Sequence, residues 1–186
     1  MQGMLVDHQI KSLGLVSPLQ EDLVQPASVD LTLGPRYALP VVPGDTTMQW
    51  LGLRVGEGSP GYTYHTYRPE WVLHPGGFVL CETAETLNLP PDVAGKFEGK
   101  SSLGRIGLMT HITAGFIDPG FHGVLTLELY NCGPLKLILK PGIKIGQVSF
   151  TVLSSLPERA YGDPALGSHY QNADTVQGGR FDGDSK

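Results

Sequence analysis

The chain has 186 residues, 40% of them hydrophobic and 17% charged, with a formal net charge of −5. That length holds one compact domain with a sizeable core but is short for two. The acidic balance argues against a general nucleic-acid-binding surface, and no apolar run approaches the roughly 18 residues a membrane span needs.

Gly (25) and Pro (15) make up over a fifth of the chain, against about 12% in average usage. They punctuate short apolar runs, which favours an all-β domain with many tight turns over a helical bundle. Residues Leu5 to Leu13 have loose helical spacing and stop at Gly14, which predicts one short N-terminal helix. From Ser28 the pattern alternates, with Val29, Leu31 and Leu33 on one face of a strand that stops at Gly34-Pro35. Tyr37 to Val42 predicts a second strand, and Asp45 to Pro69 an exposed excursion with one hairpin. Further short strands are predicted at Phe78 to Glu82, Val93 to Phe97, Gly123 to Asn131, Leu135 to Leu139 and Ile143 to Val148. Five-residue strands between Gly and Pro turns suggest a jelly-roll or related closed β architecture. The apolar pattern fades after Pro157, so residues 161–186 read as a C-terminal tail, flexible when nothing is bound, after a β domain over 1–160.

The N-terminus lacks the cationic region of a signal peptide. Cys81 and Cys132 make neither a disulfide framework nor a zinc motif, which fits reduced thiols in a cytoplasmic protein. The residues able to carry chemistry concentrate between Glu98 and Glu128. Glu128 stands between Leu127 and Leu129 on the polar side of an alternating strand; enclosed there, a carboxylate suits a general base, and the alternative is an ordinary solvated strand face. The run Gly99-Lys100-Ser101-Ser102-Leu103-Gly104-Arg105 offers hydroxyls, backbone N–H groups and two cations, a mixture that suits a phosphate. It lacks the P-loop order, and a helix cap explains it equally well. Asp118, before Pro119-Gly120, is either a turn former or a site carboxylate. His111 lies in an apolar context typical of a packed histidine. The histidines show no metal-ligand spacing.

Four segments together resemble the dCTP deaminases of the dUTPase superfamily. They are Gln25 to Gly34, Glu98 to Asn131, Lys140 to Phe150, and the aromatic-then-tail segment from Tyr161, in family order and spacing. The resemblance implies distorted β-barrel or jelly-roll subunits in a homotrimer, with sites at subunit boundaries and no zinc. It implies that Glu128 activates a water that attacks C4 of cytosine, with Ser101 and Arg105 supporting the site and Asp118 beside the deoxyribose. It further implies nucleotide contacts from Lys100, Ser101, Ser102, Leu103, Gly104 and Arg105, from Thr126 and Leu127, and from Gln147, Tyr161 and His169. Mg²⁺ would ride on the triphosphate rather than sit in a protein cage.

Gly115, followed by Phe116, stands where dUTP-forming enzymes usually carry His after Thr-Ala, so this stretch resembles the bifunctional, dUMP-forming branch. There Gly would leave space for a second water, with Asp118 orienting it for pyrophosphate release. His169 replaces the family's Lys before Tyr170, and Ala173 its Gln; Arg180 is another cation available in the tail. The readings in competition are a deaminase that stops at dUTP, one for a modified or shorter deoxycytidine nucleotide, a pure dUTPase, and a non-catalytic nucleotide-binding regulatory trimer.

Overall fold

In a computed structural model the chain is described over residues 3–41, 61–66 and 70–180. Val42 and most of the expected excursion lie outside these residues. In chain order the elements are β1 (Gly3–Met4), α1 (Asp7–Leu13), β2 (Val16–Ser17), β3 (Val24–Gln25), β4 (Ser28–Pro40), β5 (Tyr62–Thr66) and β6 (Trp71–Leu73). There follow β7 (Phe78–Asn88), β8 (Val93–Gly99), α2 (Ser101–Gly104), β9 (Leu108–Met109), β10 (Phe116–Ile117), β11 (His122–Asn131), β12 (Leu137–Leu139) and β13 (Lys144–Val152). Short 3₁₀ turns at Glu21–Leu23 and Pro164–Leu166 complete the set.

The main sheet has the order β10-β8-β13-β4-β7-β11-β9, with β1 on β13, β2 on β7, and β3 and β5 on β4, while β12 and β6 form a separate ribbon. It curls into an antiparallel half-barrel, which bears out the mainly β expectation. The N-terminal helix also stands where the spacing put it, ended by Gly14 in the left-handed conformation at φ 62°. Leu31, Leu33, Leu127, Leu129, Ile145 and Phe150 are all fully buried in one core. Each such side chain contributes about 1.5–3 kcal/mol through removal from water.

Three strand expectations need correction. The two strands expected either side of Gly34-Pro35 are one strand, β4, which changes partner there. Its first half pairs with β13, its second with β5, and its register against β7 shifts between Leu33 and Tyr37. Pro35, which has no N–H to give a ladder, is accommodated at that irregularity. Both faces of the first half are covered, since Asp30 and Thr32 are buried along with Val29, Leu31 and Leu33. The strand expected from Leu135 begins only at Leu137, because its partner β6 is three residues long and Leu135 is exposed. The strand expected over Phe78 to Glu82 runs on to Asn88 along β11.

Residues 161–180 carry little regular structure, yet part of this segment follows the edge of β11. Asn172 N–H donates to His122 O at 2.8 Å, and Val124 N–H donates to Ala173 O at 2.9 Å. A short parallel bridge joins Gly123 to Ala173. Gly123 has φ +144°, and a Cβ there would lie 2.8 Å from Ala173 N, so only glycine admits the segment this closely. The start of the β11 edge opposite β7, beyond the part that pairs with β9, is thereby covered.

At Gly34, β4 runs close against its neighbour β7. A Cβ at Gly34 would stand 2.5 Å from Glu82 Cγ and 3.0 Å from Thr83 O. Gly34→Ala is therefore expected to lower stability by about 1–3 kcal/mol, read as a fall in melting temperature. An unchanged melt would contradict that packing.

Candidate active site

The alternation of β11 builds the site. Leu127 and Leu129 point into the core, so Thr126 and Glu128, both half-buried, lie on the opposite face. That face borders a cavity of about 570 Å³ whose wall includes Thr126, Leu127, Glu128, Asp118, Phe116 and Tyr161. Glu128 is held from one side only. Its Oε2 accepts the Ile112 N–H at 2.8 Å, and its Oε1 has no hydrogen bond among the described residues. A carboxylate fixed by one oxygen, with the other available at a cavity wall, is arranged to take a proton from water.

Asp118 is exposed on the same wall, at the head of the turn Asp118-Pro119-Gly120. Phe121 N–H donates to Asp118 O at 3.2 Å, and Tyr161 N–H donates to Pro119 O at 2.8 Å. Gly120 has φ +90°, and a Cβ there would come within 2.8 Å of Ala160 Cβ and 3.0 Å of Tyr161 O. The turn thus seats the chain carrying Tyr161, whose ring packs on Phe121 at 5.7 Å. Tyr161 Oη accepts the Tyr170 N–H at 3.1 Å, leaving its own proton available to another acceptor. Burial pushes the Tyr161 phenol above its ordinary value, opposed by the Tyr170 N–H and reinforced by the Asp118 charge.

The remaining expected residues lie elsewhere. Lys100, Ser101, Gly104 and Gln147 border a second cavity of about 550 Å³; His111 lines both cavities. Ser101 opens α2 as its first helical residue, and the preceding Lys100 makes no side-chain cap, so a helix cap does not explain the run. Ser101, Ser102 and Arg105 are exposed, whereas Leu103 packs against the core. Arg105 borders neither cavity. The Lys100 ammonium meets buried Asp30 at 2.5 Å, with Lys144 at 3.4 Å from the other oxygen. Two cations thus balance one buried carboxylate, and Lys100 anchors the turn as well as bordering the cavity.

Gly115 does not leave open space, contrary to the expectation. It is buried behind the wall, where a Cβ would meet Phe97 O at 2.8 Å and the His111 ring at 3.2 Å. Its conformation serves β8, since Phe97 N–H donates to Gly115 O at 2.7 Å. His169 is half-buried and does not border the Glu128 cavity; its carbonyl accepts Arg180 Nη1 at 2.9 Å. Residues outside the expected set also line the Glu128 cavity, notably Tyr170 and Gln177 from the C-terminal segment, together with Ala173. Within that segment Val176, one of its few aliphatic residues, is buried. His111 was noted only for its apolar neighbours; its Nδ1 is buried with no partner among the described residues. Among the described residues, no three His, Cys, Asp or Glu side chains cluster to hold a metal ion, and no helix is long and apolar enough to cross a membrane.

A family model described as dCTP deaminase-like matches residues 2–153. The chain belongs to the dCTP deaminase-like family. It is 47% identical over 164 residues to a Nocardia farcinica protein named dCTP deaminase, dUMP-forming, covering 84% of this chain and 77% of that one. A Beutenbergia cavernae protein of the same name is 48% identical over 159 residues, covering 84% of this chain and 80% of the relative. Among solved structures, 2′-deoxycytidine 5′-triphosphate deaminase from Agrobacterium tumefaciens superposes with TM-score 0.63 at 25% identity. That match covers 81% of this chain and 48% of the longer one.

The raised phenol of Tyr161 sets a pH dependence. The folded state holds this proton more tightly than the unfolded state, so its contribution to stability is full below the ordinary tyrosine value of 10.0 and is lost as pH rises through the folded value. Tyr161→Phe is expected to flatten the loss of stability between about pH 9 and 11, measured by urea melts at both ends. An equally steep loss in the variant would contradict the assignment.

Proposed function

We propose that the protein hydrolyses dCTP to dUMP, ammonia and pyrophosphate, in the supply of pyrimidine deoxynucleotides. The observation that carries this reading is Glu128, a carboxylate fixed through Oε2 on a cavity wall in a chain 47% identical to a protein named dUMP-forming dCTP deaminase. In the deamination, Glu128 takes a proton from water as its oxygen bonds to C4 of cytosine. Glu128 passes that proton to ring N3; the proton of the new C4 hydroxyl then moves through Glu128 to N4, the C4–N4 bond breaks, and ammonia leaves as the C4 carbonyl forms. Thr126 and Leu127, on the same strand, line the base end through backbone and hydroxyl contacts. Asp118 lies beside the deoxyribose and orients the second water. That water bonds to the α-phosphorus as the α–β anhydride breaks and pyrophosphate departs.

The triphosphate is held by the turn at residues 100–105 together with Gln147, and Mg²⁺ enters as part of the substrate on the phosphate oxygens. Tyr161 and the C-terminal segment from it close over the nucleotide, with His169 and Arg180 at its outer side. The turn and Glu128 border different cavities within one chain. In the homotrimer we infer, one subunit contributes Glu128 and its neighbour the turn. Supporting this, Ile112 and Phe116 on the first cavity and Met109 on the second expose 48%, 65% and 38% of their surface, a cost that a subunit contact removes. The setting is cytoplasmic. Gly115 and Phe116 act on the second hydrolysis by fixing the wall from residue 111 to 118, rather than by leaving a void.

Glu128→Gln keeps the shape of the side chain and removes the base. Turnover of dCTP is expected to fall by about 10²–10⁴-fold with an unchanged melting temperature, followed by chromatographic separation of dCTP, dUTP and dUMP. Normal turnover in that variant would refute the mechanism.

A further inference from the structure

Glu82 lies outside every role described so far, yet its carboxylate is 1% exposed and fully engaged. Oε1 accepts Arg36 Nε at 2.8 Å and Arg36 N–H at 3.2 Å. Oε2 accepts the Val176 N–H at 2.9 Å. Arg36 reaches the same segment, donating from Nη2 to Asp174 O at 2.5 Å. One residue further on, Gln177 N–H donates to Thr126 Oγ1 at 3.0 Å. The register of β7 on β11 sets Thr126 directly opposite Glu82, so two neighbouring side chains receive two consecutive N–H groups. Val176 itself is buried with Ala38 and Leu80.

We propose that Glu82, with Arg36, is a positioning latch that holds the C-terminal segment over the active-site cavity. A buried carboxylate left short of a donor is costly, which favours keeping the Val176 N–H, and with it the segment, in place. The segment it holds contributes Tyr170, Gln177 and Gly179 to the cavity wall. Arg180 is tied to the same unit, through Nη2 to Gln177 Oε1 at 2.7 Å and through its N–H to Tyr170 Oη at 3.1 Å. The latch therefore fixes a wall of the nucleotide site from a point outside it. With the segment held in this way, ordering it adds little to the cost of binding. The role in substrate affinity rests on the proposed dCTP reading; the latch itself does not.

Two variants test it. Glu82→Gln removes the charge, and Val176→Pro removes the N–H from the segment while leaving the barrel intact. In nucleotide-free protein, amides of residues 173–177 are expected to exchange hydrogen roughly tenfold faster in both, the scale of one lost charge-assisted bond. KM for dCTP is expected to rise about tenfold with kcat within about twofold. Unchanged exchange in Val176→Pro would overturn the latch, whether or not Glu82→Gln folds. Faster exchange with an unchanged KM would overturn its role in positioning. Absence of dCTP turnover in the unaltered protein would instead strike the proposed function, with the exchange result still deciding the latch.

Discussion

The registration of β11 against β7 is the constraint on which the rest of the molecule depends. Leu127 faces Cys81 and Glu128 faces Leu80 across the ladder, and the period of two sends Leu127 and Leu129 inward. A slip of one residue would bury Glu128 and expose the two leucines. Several kilocalories of apolar burial thus hold a carboxylate at a cavity wall that it would not otherwise favour. The irregularity between Val124 and Thr126 adds to this, because Leu125 N–H leaves the ladder and donates to Thr83 Oγ1 instead. The strand is re-aimed at its middle, where the site residues begin.

Around that strand, one face of the chain is finished by its own C-terminal segment, and in the proposed homotrimer a neighbour covers the other. Residues 171–177 cover the start of the β11 edge, take the Glu82 carboxylate, and complete a wall of the Glu128 cavity. The phosphate-type turn at residues 100–105 opens on a separate cavity, flanked by exposed apolar side chains. On the proposed reading, a single subunit holds two half-sites with complementary chemistry, a base and a set of anion donors. Association of identical subunits joins such halves without new residues.

Much of this was legible in the sequence because it was written in short periods. The β class, the N-terminal helix and the Gly14 stop all follow from local spacing, and so does the placing of Glu128 opposite the core face. Other features were not legible because they depend on distant contacts. Gly34-Pro35 reads locally as a strand end, yet it is a change of partner within β4. Gly115 reads as a vacancy, yet Phe97 and His111 fill the space that a side chain would need. Glu82 reads as a polar strand residue, and only the fold brings Arg36 and Val176 to it. In each case the sequence shows the residue type and the tertiary neighbour decides its meaning.

Whether one working site needs two subunits is tested most directly by complementation. Glu128→Gln and Arg105→Ala proteins, each expected to be nearly inactive with dCTP, would be unfolded together and refolded as a mixture. The account predicts recovered formation of dUMP in the mixture, because some neighbouring pairs then combine an intact Glu128 with an intact Arg105. A mixture no more active than its two parents, with mixed assembly verified by mass spectrometry, would contradict it.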